Sequence, residues 1–301
     1  MWPELMWKVR LLAAIAGVAG SVTALPTLSA PGDTAPSRLT RDGRRKQDLR
    51  WSPDGTQLAF SLYVKPGQIR VALARQGAPE LQILGDQLVE FSPSWSADGK
   101  RLAFVHVTHS GTDGELDIYT MTVDGSDRQA LVANKRAFEN CPRWSPDGQF
   151  LAFTTNRDRT QEIYVTDAAG TTPRRITNDS SLKQHPSWSP DGKRLVFNSN
   201  REGTFDLWTV RADGTALSRL TDHPSSETRP VWSPDGRKIA FTTLRDGDSE
   251  IYVVDADGKN PLNISRNSGF DDCAEWSRDG KSVTWVSDRD GGIDVYELRL
   301  N

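Results

Sequence analysis

The sequence predicts an all-β fold, a six-bladed β-propeller of four-stranded antiparallel blades, and three observations carry that prediction. The phrase Trp-Ser-x-Asp-Gly occurs six times, opening at Trp51, Trp95, Trp144, Trp188, Trp232 and Trp276, with spacings of 44, 49, 44, 44 and 44 residues. Each phrase runs into an apolar stretch that closes on an aromatic residue, at Phe60, Phe104, Phe153, Phe197, Phe241 and Trp285. The chain ends complement each other: the last repeat stops one strand short, and residues 37–40 supply a matching strand at the other end. A period of about 44 residues holding four short strands is what a propeller blade requires.

Residues 1–24 read as a secretory signal peptide. Lys8 and Arg10 precede the apolar stretch Leu11 to Val18, and Val22-Thr23-Ala24 forms a small-residue cleavage site. Residues 25–36 follow as a linker, so the expected location is periplasmic or secreted. The propeller is expected over 37–301, with repeats starting near 46, 90, 139, 183, 227 and 271. After the Trp phrase and its apolar strand, a further strand carries Tyr119, Tyr164, Trp208, Tyr252 or Tyr296, and an outer one carries a pair such as Ile176-Thr177 or Leu220-Thr221. Asp-Gly pairs join these strands, because Asp and Gly reach the positive φ of tight turns. Leu39 lies 12 residues before Trp51, as Leu220 lies 12 before Trp232 and Ile264 lies 12 before Trp276. Ser37 to Thr40 is therefore expected to complete blade 6 and close the ring, which removes exposed sheet edges. Burial of Leu39 is expected to contribute about 1.5–3 kcal/mol to that closure.

Composition narrows the function classes. The 301 residues include 37 Lys plus Arg, 40 Asp plus Glu and two Cys, for a net charge of −3, with 36 % hydrophobic residues. That balance excludes a disordered chain. It also excludes nucleic acid as the main partner, since phosphate binding needs a basic stripe. Two cysteines are too few for a disulfide scaffold. No apolar run reaches 18 residues, so no membrane span is expected in the mature chain.

A residue that recurs in every blade is explained by blade geometry, whereas a binding site must break the symmetry. The Asp of each Trp phrase (Asp54, Asp98, Asp147, Asp191, Asp235, Asp279) is therefore read as turn chemistry. Asp255 to Asn260 resembles part of a calcium loop but lacks the downstream Glu, and is read as a hairpin. Arg157, Arg201, Arg245 and Arg289 each stand five residues before an acid, Glu162, Asp206, Glu250 and Asp294, and are expected to brace one hairpin each.

The variable positions precede each Trp: Lys46-Gln47-Asp48, Glu90-Phe91-Ser92, Glu139-Asn140-Cys141, Lys183-Gln184-His185, Glu227-Thr228-Arg229 and Asp271-Asp272-Cys273. They are expected to crowd the channel mouth as a predominantly acidic funnel, since loops on a rigid scaffold carry binding residues. The longer hairpin of blade 2, with His106, His109 and Asp113, is expected on the same face. Cys141 and Cys273 fall on opposite blades, beyond the roughly 7 Å that a disulfide spans, so two free thiols in a monomer are expected. Cys141 and His185 supply two ligands, fewer than a zinc site needs, so no metal or cofactor is expected.

The phrase Pro-x-Trp-Ser-Pro-Asp-Gly, followed by Leu-Ala-Phe, Ile-Tyr-Val-Val-Asp-Ala-Asp-Gly and Leu-Thr, resembles the repeats of TolB-type six-bladed propellers over residues 37–301. The resemblance implies a protein-binding or scaffold module of the cell envelope that grips a Pal-like lipoprotein or another envelope protein. Carried onto this sequence, the gripping surface is Glu139, His185, Glu227, Arg229, Asp271 and Asp272. The chain is expected to lack the α/β domain that precedes the propeller in TolB itself. The competing expectation is an exported propeller enzyme, a lyase, hydrolase or cyclase, with Glu139 beside His185 as an acid and base pair at the channel mouth. No Gly-x-Ser-x-Gly phrase occurs, which excludes the propeller peptidase arrangement.

Overall fold

The computed structural model describes residues 35–300, apart from 76, 79, 86–88, 109–114 and 135. The expected leader, most of the linker, His109 and Asp113 lie outside the described residues. The described chain forms six four-stranded antiparallel sheets, each ordered from an innermost strand outward. Blade 3 is representative, with strands Glu139–Trp144, Phe150–Thr155, Glu162–Asp167 and Arg174–Arg175. Its second strand is buried on both faces from Leu151 to Thr155, because neighbouring blades cover it.

The recurring Asp-Gly turn is a small hydrogen-bonded unit. In blade 3, Ser145 Oγ donates to Asp147, whose carboxylate also accepts from Gln149 N at 3.0 Å, and Phe150 N donates to Ser145 Oγ at 2.9 Å. Gly148 completes the turn at φ 71°, where a side chain would be strained. The same Ser-to-Asp bond recurs in the other five blades. Those donors hold the carboxylates low, Asp54 at about 2, and commit them to the turn. The Asp255 segment is likewise a hairpin, closed by Gly258 N on Asp255 O at 2.8 Å.

The repeated Trp ties blade to blade. Trp95, Trp188 and Trp276 donate their indole N–H to the carbonyls of Arg50, Arg143 and Val231 on the preceding blade, at 3.0, 3.0 and 3.3 Å. The core consists of apolar clusters between adjacent blades, such as Ile163 and Val165 of blade 3 against Leu195 and Phe197 of blade 4.

Ring closure follows the expected topology with a different balance of forces. Ser37 and Arg38 pair with Glu297 and Tyr296 as the outer strand of blade 6. Leu39 N donates to Val295 O at 2.7 Å, and Thr40 Oγ1 donates to Asp294 at 2.7 Å while accepting from Val295 N at 3.0 Å. The expected burial of Leu39 is not found: it is 37 % exposed. Its neighbour holds the strand instead. Thr40 repeats what Thr177, Thr221 and Ser265 do in blades 3, 4 and 5, each accepting a backbone N–H from the third strand at 2.8–3.0 Å.

Part of the extra length of blade 2 is strand. Its second and third strands, Arg101–Thr108 and Glu115–Thr122, hold eight residues each where blades 3 to 6 use six.

Candidate functional site: the channel and its mouth

All six inner strands start at one end of the channel, as Lys46–Trp51, Glu90–Trp95, Glu139–Trp144, Lys183–Trp188, Glu227–Trp232 and Asp271–Trp276. Each carries a bulge between its second and fifth residues. At that bulge the third residue is left-handed: Asp48, Ser92, Cys141, His185, Arg229 and Cys273, with φ between 51° and 61°. Bulges re-aim side chains. Here they bring Asp48, His185, Arg229 and Cys273, from blades 1, 4, 5 and 6, to the wall of one axial cavity.

The cluster joins three blades across the axis. Arg229 reaches Asp48 at 2.8 Å and Asp272 at 3.3 Å, linking blade 5 to blades 1 and 6. Asp48 also accepts from Ser61 Oγ at 2.9 Å. Burial alone would raise the Asp48 carboxyl, but Arg229 and Ser61 outweigh it and hold it below the usual range. His185 Nδ1 lies 3.1 Å from Asn198 Oδ1, and burial, with Arg229 close by, pushes the imidazole down to about 3. About 10 Å³ remains between these groups, room for a single water at most. Cys141 and Cys273 are free and buried, and burial raises both thiols, Cys141 to about 11.

The acidic first residues lie deeper than a funnel lining would. Glu139, Glu227 and Asp271 are fully buried. Glu139 accepts from Thr155 Oγ1 at 2.9 Å and pairs with Arg157 at 3.0 Å, Glu227 pairs with Arg245, and Asp271 pairs with Arg289 at 3.2 Å. This corrects two expectations. The mouth is not an acidic funnel, because an arginine covers each of these carboxylates. The recurrent arginines brace the inner strand, while Glu162 turns to Arg175 and Lys183, and Asp206 to Arg219. Each arginine also lies over an aromatic ring of its own blade: Arg157 over Tyr164 at 4.9 Å, Arg245 over Tyr252 at 4.5 Å and Arg289 over Tyr296 at 4.9 Å. Arg201 follows suit over Trp208, but blade 4 begins with Lys183, so Arg201 pairs with Asp179 at 3.3 Å.

Of the six expected contact residues, the fold gathers His185, Arg229 and Asp272 at the axis and sets Glu139, Glu227 and Asp271 beneath arginines. Glu139 and His185 do not form a pair: one is held by Thr155 and Arg157, the other faces Asn198. An imidazole near 3 is also a poor base at neutral pH. The sequence reading missed the rim. Leu182, directly before the inner strand of blade 4, and Leu244, directly after the second strand of blade 5, are 40 % and 39 % exposed. Exposed Arg201 stands on the same side.

The buried groups set a pH dependence. An exposed His takes up a proton near pH 6.5, but folded His185 does so only near 3. The unfolded chain therefore binds more protons below about 6.5, and stability falls as pH drops; from pH 7.5 to 5 this one residue accounts for about 2 kcal/mol. Glu275 acts in the opposite sense. Burial raises it to about 7 although Arg50 lies 2.8 Å away, so stability falls as pH rises from about 4.3 to 7. His185→Gln should flatten the acid arm of the stability curve and Glu275→Gln the arm toward neutrality, read as urea midpoints at three pH values. Coincident curves for the parent and His185→Gln would contradict a buried neutral imidazole.

The family model of the TolB beta propeller domain, PD40, matches residues 68–242. The chain belongs to this family. A TolB homolog of Chlorobium luteolum is 29 % identical over 131 residues, covering 44 % of this chain and 28 % of that protein. The Tol-Pal system protein TolB of Alcanivorax borkumensis is 39 % identical over 67 residues, 22 % of this chain and 14 % of that one. The chain thus spans about half or less of the curated relatives it matches. The crystal structure of TolB from Acinetobacter baumannii superposes with a TM-score of 0.65 at 22 % identity, covering 83 % of this PD40 chain and 62 % of that one, a likeness of fold. Among the described residues, no helix is long and apolar enough to cross a membrane.

Proposed function

We propose that this PD40 propeller is an exported protein-binding module of the cell envelope, working in the periplasm or outside the cell, and that its partner docks on the channel-mouth face. One observation carries the reading: Arg229 ties blade 5 to blades 1 and 6 across the axis and leaves about 10 Å³ beside the cluster, so at this level there is no room for a substrate and the mouth above it offers a surface for contact. In this reading His185, Arg229 and Asp272 form the floor. Glu139, Glu227 and Asp271 act from beneath by holding Arg157, Arg245 and Arg289 in place. Leu182 and Leu244 offer the apolar contact that interface centres favour, and exposed Arg201 adds a charge on the same face. The partner class that the family suggests is a Pal-like lipoprotein or another envelope protein, met by a monomer.

The test is titration calorimetry with the soluble domain of a Pal-type lipoprotein. Leu182→Asp combined with Leu244→Asp should weaken binding at least tenfold. Phe150→Asp, an exposed position at the other end of the blades, should leave it unchanged. Equal losses in both variants, or no binding by the parent chain, would overturn the reading.

A further inference from the structure

Further from the mouth than the bulge, the inner strands break the six-fold pattern a second time. Their fifth residues are Arg50, Ser94, Arg143, Ser187, Val231 and Glu275 in blades 1 to 6, each directly ahead of the repeated Trp. Two of the six are arginines in the same pose. Arg50 and Arg143 each turn a guanidinium N–H back onto the carbonyl of the residue before, Leu49 and Pro142, the latter at 2.7 Å. They differ in what faces them. Arg50 is paired at 2.8 Å with Glu275, the fifth residue of the preceding blade. In the blade preceding Arg143 that position is Ser94, and in the blade following it Ser187. Among the described residues Arg143 makes no ion pair, and its one side-chain hydrogen bond is the one to Pro142.

Arg143 is nonetheless only 7 % exposed. Arginine is almost never buried to that degree without a counter-charge, since a cation taken out of water needs one to offset its desolvation. The channel carboxylates are committed elsewhere, Asp48 and Asp272 to Arg229 and Glu275 to Arg50. The neighbours of Arg143 are donors instead. Ser94 Oγ accepts from Trp144 N at 3.1 Å, which leaves its O–H to donate. Ser187 is buried and makes no side-chain hydrogen bond among the described residues, so its hydroxyl can donate as well. Both serines sit against this stretch of blade 3: Trp144 follows Arg143 in the chain, and Trp188, which follows Ser187, donates its indole N–H to the Arg143 carbonyl at 3.0 Å. A serine where blade 6 has a glutamate withholds both the charge and most of the volume of a carboxylate.

We propose that the channel, beyond the Arg229 cluster from the mouth, binds a small carboxylate anion on the Arg143 guanidinium, with the hydroxyls of Ser94 and Ser187 as further donors, in the role that Glu275 plays beside Arg50. The planar fork of a guanidinium matches the two oxygens of a carboxylate. The side chains of Arg50 and Glu275 keep 18 % and 14 % of their surface, so this level of the channel is accessible to solvent. The slight exposure of Arg143 suits a free ion of a few atoms rather than a segment of polypeptide. The site uses none of the residues assigned to partner docking, so the two readings stand or fall separately.

The experiment is saturation-transfer difference NMR on the methyl group of acetate, with the full chain in chloride-free buffer at fixed ionic strength. The parent chain should transfer saturation to acetate. Arg143→Gln should lower the affinity at least tenfold, and Arg211→Gln, which changes an exposed arginine on the third strand of blade 4, should leave it unchanged. Ser94→Glu keeps Arg143 and supplies the carboxylate from within the chain, as Glu275 does for Arg50. It should therefore lower acetate affinity at least tenfold too, and it carries the test if Arg143→Gln does not fold. Undiminished acetate binding in either variant, or none in the parent, would overturn the proposal. So would displacement of acetate by chloride at equal concentration, which would mark a site for any small anion rather than for a carboxylate.

Discussion

A chain beginning at residue 41 should unfold about 3–5 kcal/mol more easily than one beginning at residue 35. The lost strand makes two residue pairings and a further backbone bond with the third strand of blade 6, each such bond being worth about 0.5–1.5 kcal/mol net. The larger share lies at Asp294. This carboxylate is fully buried, and it accepts from Thr40 Oγ1 at 2.7 Å, from Arg38 at 2.6 Å and from Lys46 at 3.2 Å. Burial would raise it, yet Thr40, Arg38 and Lys46 together hold it well below the usual range. Its contribution is present above the ordinary aspartate value of about 3.9 and is lost as pH falls through the folded one. The truncation penalty should therefore be full at neutral pH and shrink under strongly acidic conditions. Thr40→Val, which keeps the shape and removes the hydroxyl, should cost about 1–2 kcal/mol. Equal urea midpoints for the two chains would show that the ring is closed by something other than this strand.

Arg229→Met should destabilise the propeller by about 3–5 kcal/mol, because it removes the ion-pair partner of both Asp48 and Asp272 at the axis. The methionine fills similar volume, so the loss measures the uncompensated carboxylates rather than a cavity. Adding Asp48→Asn and Asp272→Asn should recover at least half of it, since a neutral polar cluster escapes the cost of a buried unpaired charge. Urea denaturation of the three chains checks both halves. If the triple variant is no better than Arg229→Met, the channel arginine acts by packing alone.

The six-fold scaffold was legible because its signals are local. Trp-Ser-x-Asp-Gly writes a turn in five residues, and the position of Leu39-Thr40 ahead of Trp51 places the closing strand by simple counting. The site was only partly legible because its contacts run radially, between segments far apart along the chain. A five-residue gap from Arg157 to Glu162 invites a hairpin pair, while the true partner, Glu139, lies 18 residues back. The same 18-residue offset links Glu227 to Arg245 and Asp271 to Arg289. Blade 4, with Lys183 at that offset from Arg201, is the exception that would have confirmed the rule. Depth was the other hidden quantity. Polar residues before each Trp read as loop, but they are the first turns of a pleat at the axis, where burial falls on Glu139, Glu227 and Asp271 alike. The left-handed third residue leaves no compositional trace, since Asp, Ser, Cys, His, Arg and Cys fill it in turn.

The bond between Thr40 and Asp294 joins residues 254 positions apart. During synthesis the closing strand at Ser37–Arg38 is made long before its partner in blade 6. Until then blade 6 has no outer strand and the early strand has no sheet. Blades 1 to 5 can form in sequence on largely local contacts, so the ring should assemble as an open arc whose two ends meet late. An arc halted before Asp294 would present a bare strand edge at one end and an unpaired strand at the other, the pairing surface that lets one chain capture another. For this protein, a premature stop ahead of Asp294 is therefore a hazard to neighbouring chains as well as a loss of the chain itself.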